Sequence, residues 1–292
     1  MAKPANSLKK PVLQKPATKE LAPKKTAPKK TAPKKTATKT LVAKKAAPAA
    51  PSSKRTASKP KLAEPARQAF AGFGPEALAF LEGLAENNNR DWFQAHKDTY
   101  ETHLRAPMGA CVEALAFAFA AHDIPLTGDA KSSLFRVNRD VRFSKNKNPY
   151  KTNVGAVLSR DGGKGAKGVL YLQIAAGGDH FMAAGFYGPE PDDLARFREA
   201  IAAAPDKWTK VEEAMKKARL AFRRTDTLVR MPKGFDDFAD SDIADALKLK
   251  SFVVTAKLSG ADVSSPNMVG KVLKFATAAM PLLQFGWTAL RA

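Results

Sequence analysis

The chain holds a single cysteine, and its first 64 residues contain no aromatic side chain. One thiol, Cys111, rules out an internal disulfide framework and points to a reducing cytoplasm. Histidine is sparse as well. His96, His103, His122 and His180 are scattered, with no HxxxH or HExxH spacing, so no metal site is expected. No apolar run approaches the ~20 residues of a membrane span, and no membrane association is expected. The basic N-terminus is not followed by the apolar core of a secretory signal, and its Lys/Pro-rich composition does not fit an amphipathic transit helix.

Acidic residues are also nearly missing from the start of the chain. Residues 1–64 carry 18 Lys plus Arg against Glu20 and Glu64, or 18 − 2 = +16, which leaves +5 of the total of +21 for the remainder. The pentapeptide APKKT recurs in tandem from Ala22, Ala27 and Ala32. Such a segment buries too little apolar surface to offset its ordering entropy, so residues 1–66 are expected to be a disordered tail. It resembles, in composition only, the tails of linker histones and of bacterial histone-like proteins. One-signed charge at this density implies sequence-independent phosphate neutralisation, with Lys24, Lys25, Lys29, Lys30, Lys34 and Lys35 as the repeated contacts. Nucleoid association would follow. Without interleaved aromatics, the tail itself is not expected to stack on bases.

Residues 67–292 are expected to form one globular domain. Gly74-Pro75 opens a helix carrying Leu78, Leu81 and Leu84, and Asn87, Asn88 and Asn89 break it and cap the next. That second helix places Trp92, His96 and Tyr100 on one face. Pro107 is expected to start a third helix, whose Met108, Cys111, Val112, Leu115 and Phe119 follow a buried stripe. On that stripe Cys111 reads as an inert buried thiol. Short apolar segments near 132–137, 153–159, 168–175 and 180–187 read as strands, and Gly-rich linkers make hairpins of the last three. Helices near 191–203, 206–218 and 241–248 precede a strand over 251–257. Ser265-Pro266 caps a last helix that Pro281 should kink or end. The pattern predicts an α+β fold in which a hairpin-connected antiparallel sheet carries helices on one face.

The densest chemistry lies in 134–152, LFRVNRDVRFSKNKNPYKT. Arg136, Arg139, Arg142, Lys145, Lys147 and Lys151 crowd together, with Asp140 as the only acid among them. In an extended chain Arg136, Asn138, Asp140 and Arg142 share a face, and Asn148-Pro149 turns Tyr150, Lys151 and Thr152 in beside it. Guanidinium groups suit bidentate recognition of phosphate or carboxylate, so this surface is expected to bind an anion. The alternative is an Arg–Asp network stiffening a sheet edge. His96 is a candidate general acid or base, against the plainer reading of a packing residue among aromatics. The run GGKGAKG fails the phosphate-loop pattern because no Ser or Thr follows Lys167, so it reads as a mobile hairpin loop.

The strings FAGFGPEALAFLEGLAENNNRDWFQAHKDTYETHLRAP, FRVNRDVRFSKNKNPYKTN, AAGFYGPEPDDLARFREAI, MPKGFD and LKSF, in this order, resemble the family catalogued as domain of unknown function 2461. The resemblance runs from about residue 70 to the C-terminus. It implies one intact domain, found in bacteria and some fungi, and no assigned reaction. The family pattern commonly reads SKDK where this chain has Ser144-Lys145-Asn146-Lys147, so a coordinating role of that carboxylate is not expected here.

Three functions compete. The first is a binding protein whose tail associates with nucleic acid and whose body holds an anionic small molecule. The second is an enzyme acting on a phosphate-containing or other anionic substrate, with Asp140, Tyr150 or His96 transferring protons. The third is a protein-interaction module tethered by its tail. No cofactor or oligomeric state is indicated.

Overall fold

The computed structural model describes residues 70–291; the tail expected over 1–66 falls outside them. Pro75–Glu86 (α1) buries Ala77, Phe80, Leu81 and Leu84. Asn89 ends the following turn by accepting the Trp92 amide at 2.9 Å, which caps Arg90–Ala95 (α2). The expected Trp92–His96–Tyr100 face does not continue as one α-helix. The chain turns at His96 and resumes as Lys97–Thr99 (α3), a π-helical turn over Tyr100–Arg105, and Ala106–Ala121 (α4).

Pro107 therefore sits inside a continuous helical stretch and does not start one. Proline lacks an N–H and collides with the carbonyl four residues earlier; the wider turn just before it relieves both problems, with the Ala106 amide donating to Glu101 O. The stretch Lys97–Ala121 is long and apolar enough, by length and composition, to cross a membrane. Here its stripe of Met108, Cys111, Val112, Leu115 and Phe119 is buried in the protein core. Burial pushes the Cys111 thiol far up, as expected of an inert thiol.

Four strands, Asn153–Leu158 (β1), Val169–Ala175 (β2), Phe181–Phe186 (β3) and Phe252–Lys257 (β4), form an antiparallel sheet in the order β1-β2-β3-β4. Alternation divides its side chains. Ala156, Leu158, Leu170, Leu172, Ile174, Met182, Ala184, Phe186, Phe252 and Val254 join the core cluster. Gly155, Val157, Tyr171, Gln173, Phe181 and Ala183 lie on the other face.

The helices cover the first face. They are α4, Pro191–Ala203 (α5), Pro205–Lys217 (α6) and Met268–Leu290 (α9), with Ala244–Leu247 (α7) and Gly260–Val263 (α8) as short connectors. The α8 connector carries a Ser259–Asp262 capping box not read from the sequence. The fold is thus the expected α+β arrangement.

The α9 helix starts one residue after Asn267, whose amide donates to Ser265 Oγ at 3.1 Å. Pro281 does not end it. The following Leu282, Leu283, Trp287 and Leu290 are buried, and their packing offsets the lost hydrogen bond. Gly286 lets α9 approach β3, because a Cβ there would collide with Phe186.

The segment expected as a strand over 132–137 is not one. It touches β1 through a single Leu134–Ala156 bridge, with the Phe135 amide donating to Gly155 O at 2.9 Å. It then leaves the sheet and pairs with residues 149–151: Arg139 N donates to Pro149 O and Lys151 N to Val137 O, each at 2.8 Å. Two different partners within six residues prevent a regular ladder.

Candidate functional site

This second pairing makes the block 137–151 a small ribbon that projects a tip, residues 140–148. Its base is clamped to the helices. Asn88 takes both backbone groups of Tyr150, accepting its N–H at 3.0 Å and donating to its carbonyl at 3.1 Å. The Tyr150 ring is buried and stacks on Phe93 at 4.2 Å. Asn148-Pro149 therefore does place Tyr150 and Lys151 beside the preceding segment.

Most cations of the tip are occupied locally. Arg142 grips Asp140 with two hydrogen bonds, Nε–Oδ1 at 3.0 Å and Nη2–Oδ2 at 2.6 Å. These bonds hold the Asp140 carboxyl down at about 2 and raise the guanidinium. Arg139 braces the turn by donating to Asn148 O at 3.1 Å and Ser144 Oγ at 3.4 Å. Lys147 donates to Val141 O at 3.1 Å. Lys145 is exposed. Asn146 Oδ1 accepts the Asn148 amide at 2.9 Å, a turn contact that an aspartate would make equally well.

A different group gathers where the ribbon meets the sheet. Lys151 Nζ lies 5.3 Å from the centre of the Phe135 ring, and Lys164 Nζ lies 5.7 Å from the same ring. Lys164 also donates to Leu134 O at 2.7 Å. Lys151 is half-buried, and its ammonium is pushed below the ordinary lysine range by that burial first, then by Arg136 and Lys164. Among the described residues, none of these three cations pairs with a carboxylate.

Phe135 meets Tyr171 edge-on at 6.0 Å, and Tyr171 meets Phe181 at 5.7 Å. The Tyr171 hydroxyl donates to Gln173 Oε1 at 3.0 Å, and burial pushes it up to about 12. It lies across Gly155, where a Cβ would stand 2.7 Å from that oxygen. Phe135 thus sits between Tyr171 and the two lysines, with Phe181 itself buried.

The proposed proton-transfer residues do not converge. Among the described residues, no hydrogen bond or ion pair joins Asp140, Tyr150 and His96 to one another. His96 is exposed, stacked on Trp92 at 4.0 Å, and its Nδ1 lies 2.8 Å from Trp92 O. Of the six expected anion-binding cations, the structure brings Arg136 and Lys151 together and keeps Arg139, Arg142 and Lys147 engaged in the tip.

Sequence reasoning missed Lys164. It belongs to the glycine run read as a mobile hairpin loop, and the loop is in fact pinned. Besides the Lys164 contact, Lys167 pairs with Asp193 at 2.9 Å and Trp287 Nε1 donates to Lys167 O at 2.8 Å. Nothing in the local sequence says that the loop folds back over residue 135.

The model of the family described as "Conserved hypothetical protein (DUF2461)" matches residues 76–285. That range takes in the sheet, the ribbon and both groups of cations. The chain belongs to this family. The DUF2461 description names no activity. No curated protein and no solved structure matches the chain.

Proposed function

We propose that this DUF2461 protein binds an anion, a phosphate or carboxylate group, at Arg136, Lys151 and Lys164 around Phe135. One observation carries the reading. Lys151 is half-buried beside the exposed Arg136 and Lys164, among the described residues none of the three is ion-paired to a carboxylate, and burial first, then the two neighbouring charges, lower the affinity of Lys151 for its proton until a counter-charge arrives. Arg136 offers a planar fork and the lysines point charges. The half-buried Phe135 ring lies between the two lysines and gives an apolar part of the ligand a contact.

Binding is favoured over reaction. An Asp140 held ionised by Arg142 is a weak proton donor at neutral pH, and Tyr150 is committed to its stack. The test is a thermal-shift screen of the full chain against nucleotides, sugar phosphates and carboxylates at constant ionic strength. A ligand that binds only the native state raises its stability, by about 2.7 kcal/mol at a hundredfold excess over Kd. The shift should vanish in Arg136→Gln/Lys151→Met. A shift that persists in this double variant refutes the site.

A second association rests on the tail's charge, 18 − 2 = +16 over residues 1–64. This tail is proposed to hold nucleic acid without sequence preference, through counterion release. Deleting residues 1–64 should then flatten the salt dependence of duplex binding. Equal binding at every salt concentration, with and without the tail, removes the idea.

A further inference from the structure

The tip of the ribbon exposes Phe143 at 96%, the most of the exposed large apolar side chains among the described residues, the others being Phe117 at 66% and Val229 at 95%. An aromatic ring left in water at the end of a projecting turn buries nothing within the protein. The turn is not loose. Ser144 N donates to Val141 O at 3.3 Å, Asn148 N to Asn146 Oδ1 at 2.9 Å and Lys147 Nζ to Val141 O at 3.1 Å. Bracing of this kind lowers the ordering cost of any complex the ring forms. One cation lies against it and others share its turn. The Arg142 guanidinium lies 5.8 Å from the ring centre, and Lys145 and Lys147 follow in the same tip.

We propose that this tip docks single-stranded nucleic acid, with Phe143 stacking on a base and the exposed Lys145 and Lys147 facing the adjacent phosphates. A ring beside several cations matches a chain that alternates flat bases with negative charges, and a duplex hides those base faces. The tail can neutralise phosphates but holds no ring. The tip supplies the group it lacks. An anionic membrane fits less well, because interfacial binding needs a broad apolar face, and the neighbours of Phe143 here are Arg142, Ser144, Lys145 and Asn146. This inference stands on the exposure of Phe143 and is independent of the anion site at Arg136, Lys151 and Lys164.

The experiment uses the full chain, a thymidine oligonucleotide of about ten residues, within the usual site size, and an abasic strand with the same number of phosphates. Phe143→Ala should weaken thymidine-strand binding by about 5- to 150-fold and leave abasic-strand binding unchanged, while Phe143→Tyr restores it. The tail also binds strands, so Phe143→Trp gives a reading confined to the tip. The emission of the introduced indole should be quenched by the thymidine strand and not by the abasic one. The proposal is overturned if the thymidine strand leaves that emission unquenched, if Phe143→Ala loses equally on both strands, or if Phe143→Ala acts only on the binding of anionic phosphatidylserine vesicles.

Discussion

The two groups of cations in residues 134–164 have similar composition and opposite circumstances. At the ribbon tip, Arg142 is paired with the Asp140 carboxylate, and Arg139 and Lys147 brace the turn on neutral oxygens supplied from within ten residues. At the ribbon base, Arg136, Lys151 and Lys164 come from both sides of β1 and meet without an acid, and Lys151 is half-buried there. What separates them is whether a carboxylate lies within pairing distance and whether the cation is buried, and both depend on the path of the chain.

The strongest test of this contrast is ligand affinity. Once the thermal-shift screen supplies an anion, calorimetry should show Lys151→Met or Arg136→Gln losing about 10- to 150-fold, the worth of a charge-assisted hydrogen bond. Lys147→Met should stay within about twofold of the parent. Equal losses at the two places would erase the distinction.

Next is the clamp that holds the base in position. Asn88→Ala removes two hydrogen bonds to the Tyr150 backbone and should cost about 1–3 kcal/mol in urea unfolding. It should also weaken anion binding, since Lys151 is the next residue.

A smaller effect has the opposite sign. Without ligand, Lys151→Met should raise stability by roughly 0.5 kcal/mol after allowance for solvent screening, by removing an ammonium crowded by Arg136 and Lys164. The folded-state pKa of Lys151 lies below its unfolded value. The folded state therefore sheds this proton first, and stability gains as pH rises through that window towards the ordinary lysine range. Denaturation curves between pH 8 and about 10.5 should show the gain in the parent and lack it in Lys151→Met.

The smallest effect belongs to the tip. Asp140 is depressed to about 2, so its contribution is present above the ordinary carboxylate range and disappears as pH falls towards 2. Asp140→Asn should flatten that acid limb slightly by losing the same small contribution at neutral pH, the pair being open to solvent. A large loss at pH 7 would mean the Arg142 pair supports more than the turn.

Much of the scaffold is legible in the sequence because it is local. The Asn89 cap, the buried stripe of α4, the three hairpin-linked strands and the helices after Pro191 and Pro205 are written in periodicity and turn residues. The departures fall where tertiary packing overrides local preference. Pro107 is accommodated by a π-turn, Pro281 by a buried helix end, and 132–137 leaves β1 for a second partner. At the candidate site, the Asn148-Pro149 turn already hints that Lys151 returns beside the segment carrying Arg136. Lys164 is invisible, since a glycine run encodes flexibility and not destination.

By itself the sequence determined the supply of charge: a one-signed tail, a cation-rich block and a single acid within that block, all set by residue identity. Tertiary structure alone decided which charges remain uncompensated. Pairing requires atoms within about 3 Å, and that proximity is created when a ribbon, a hairpin loop and a sheet edge close around Phe135.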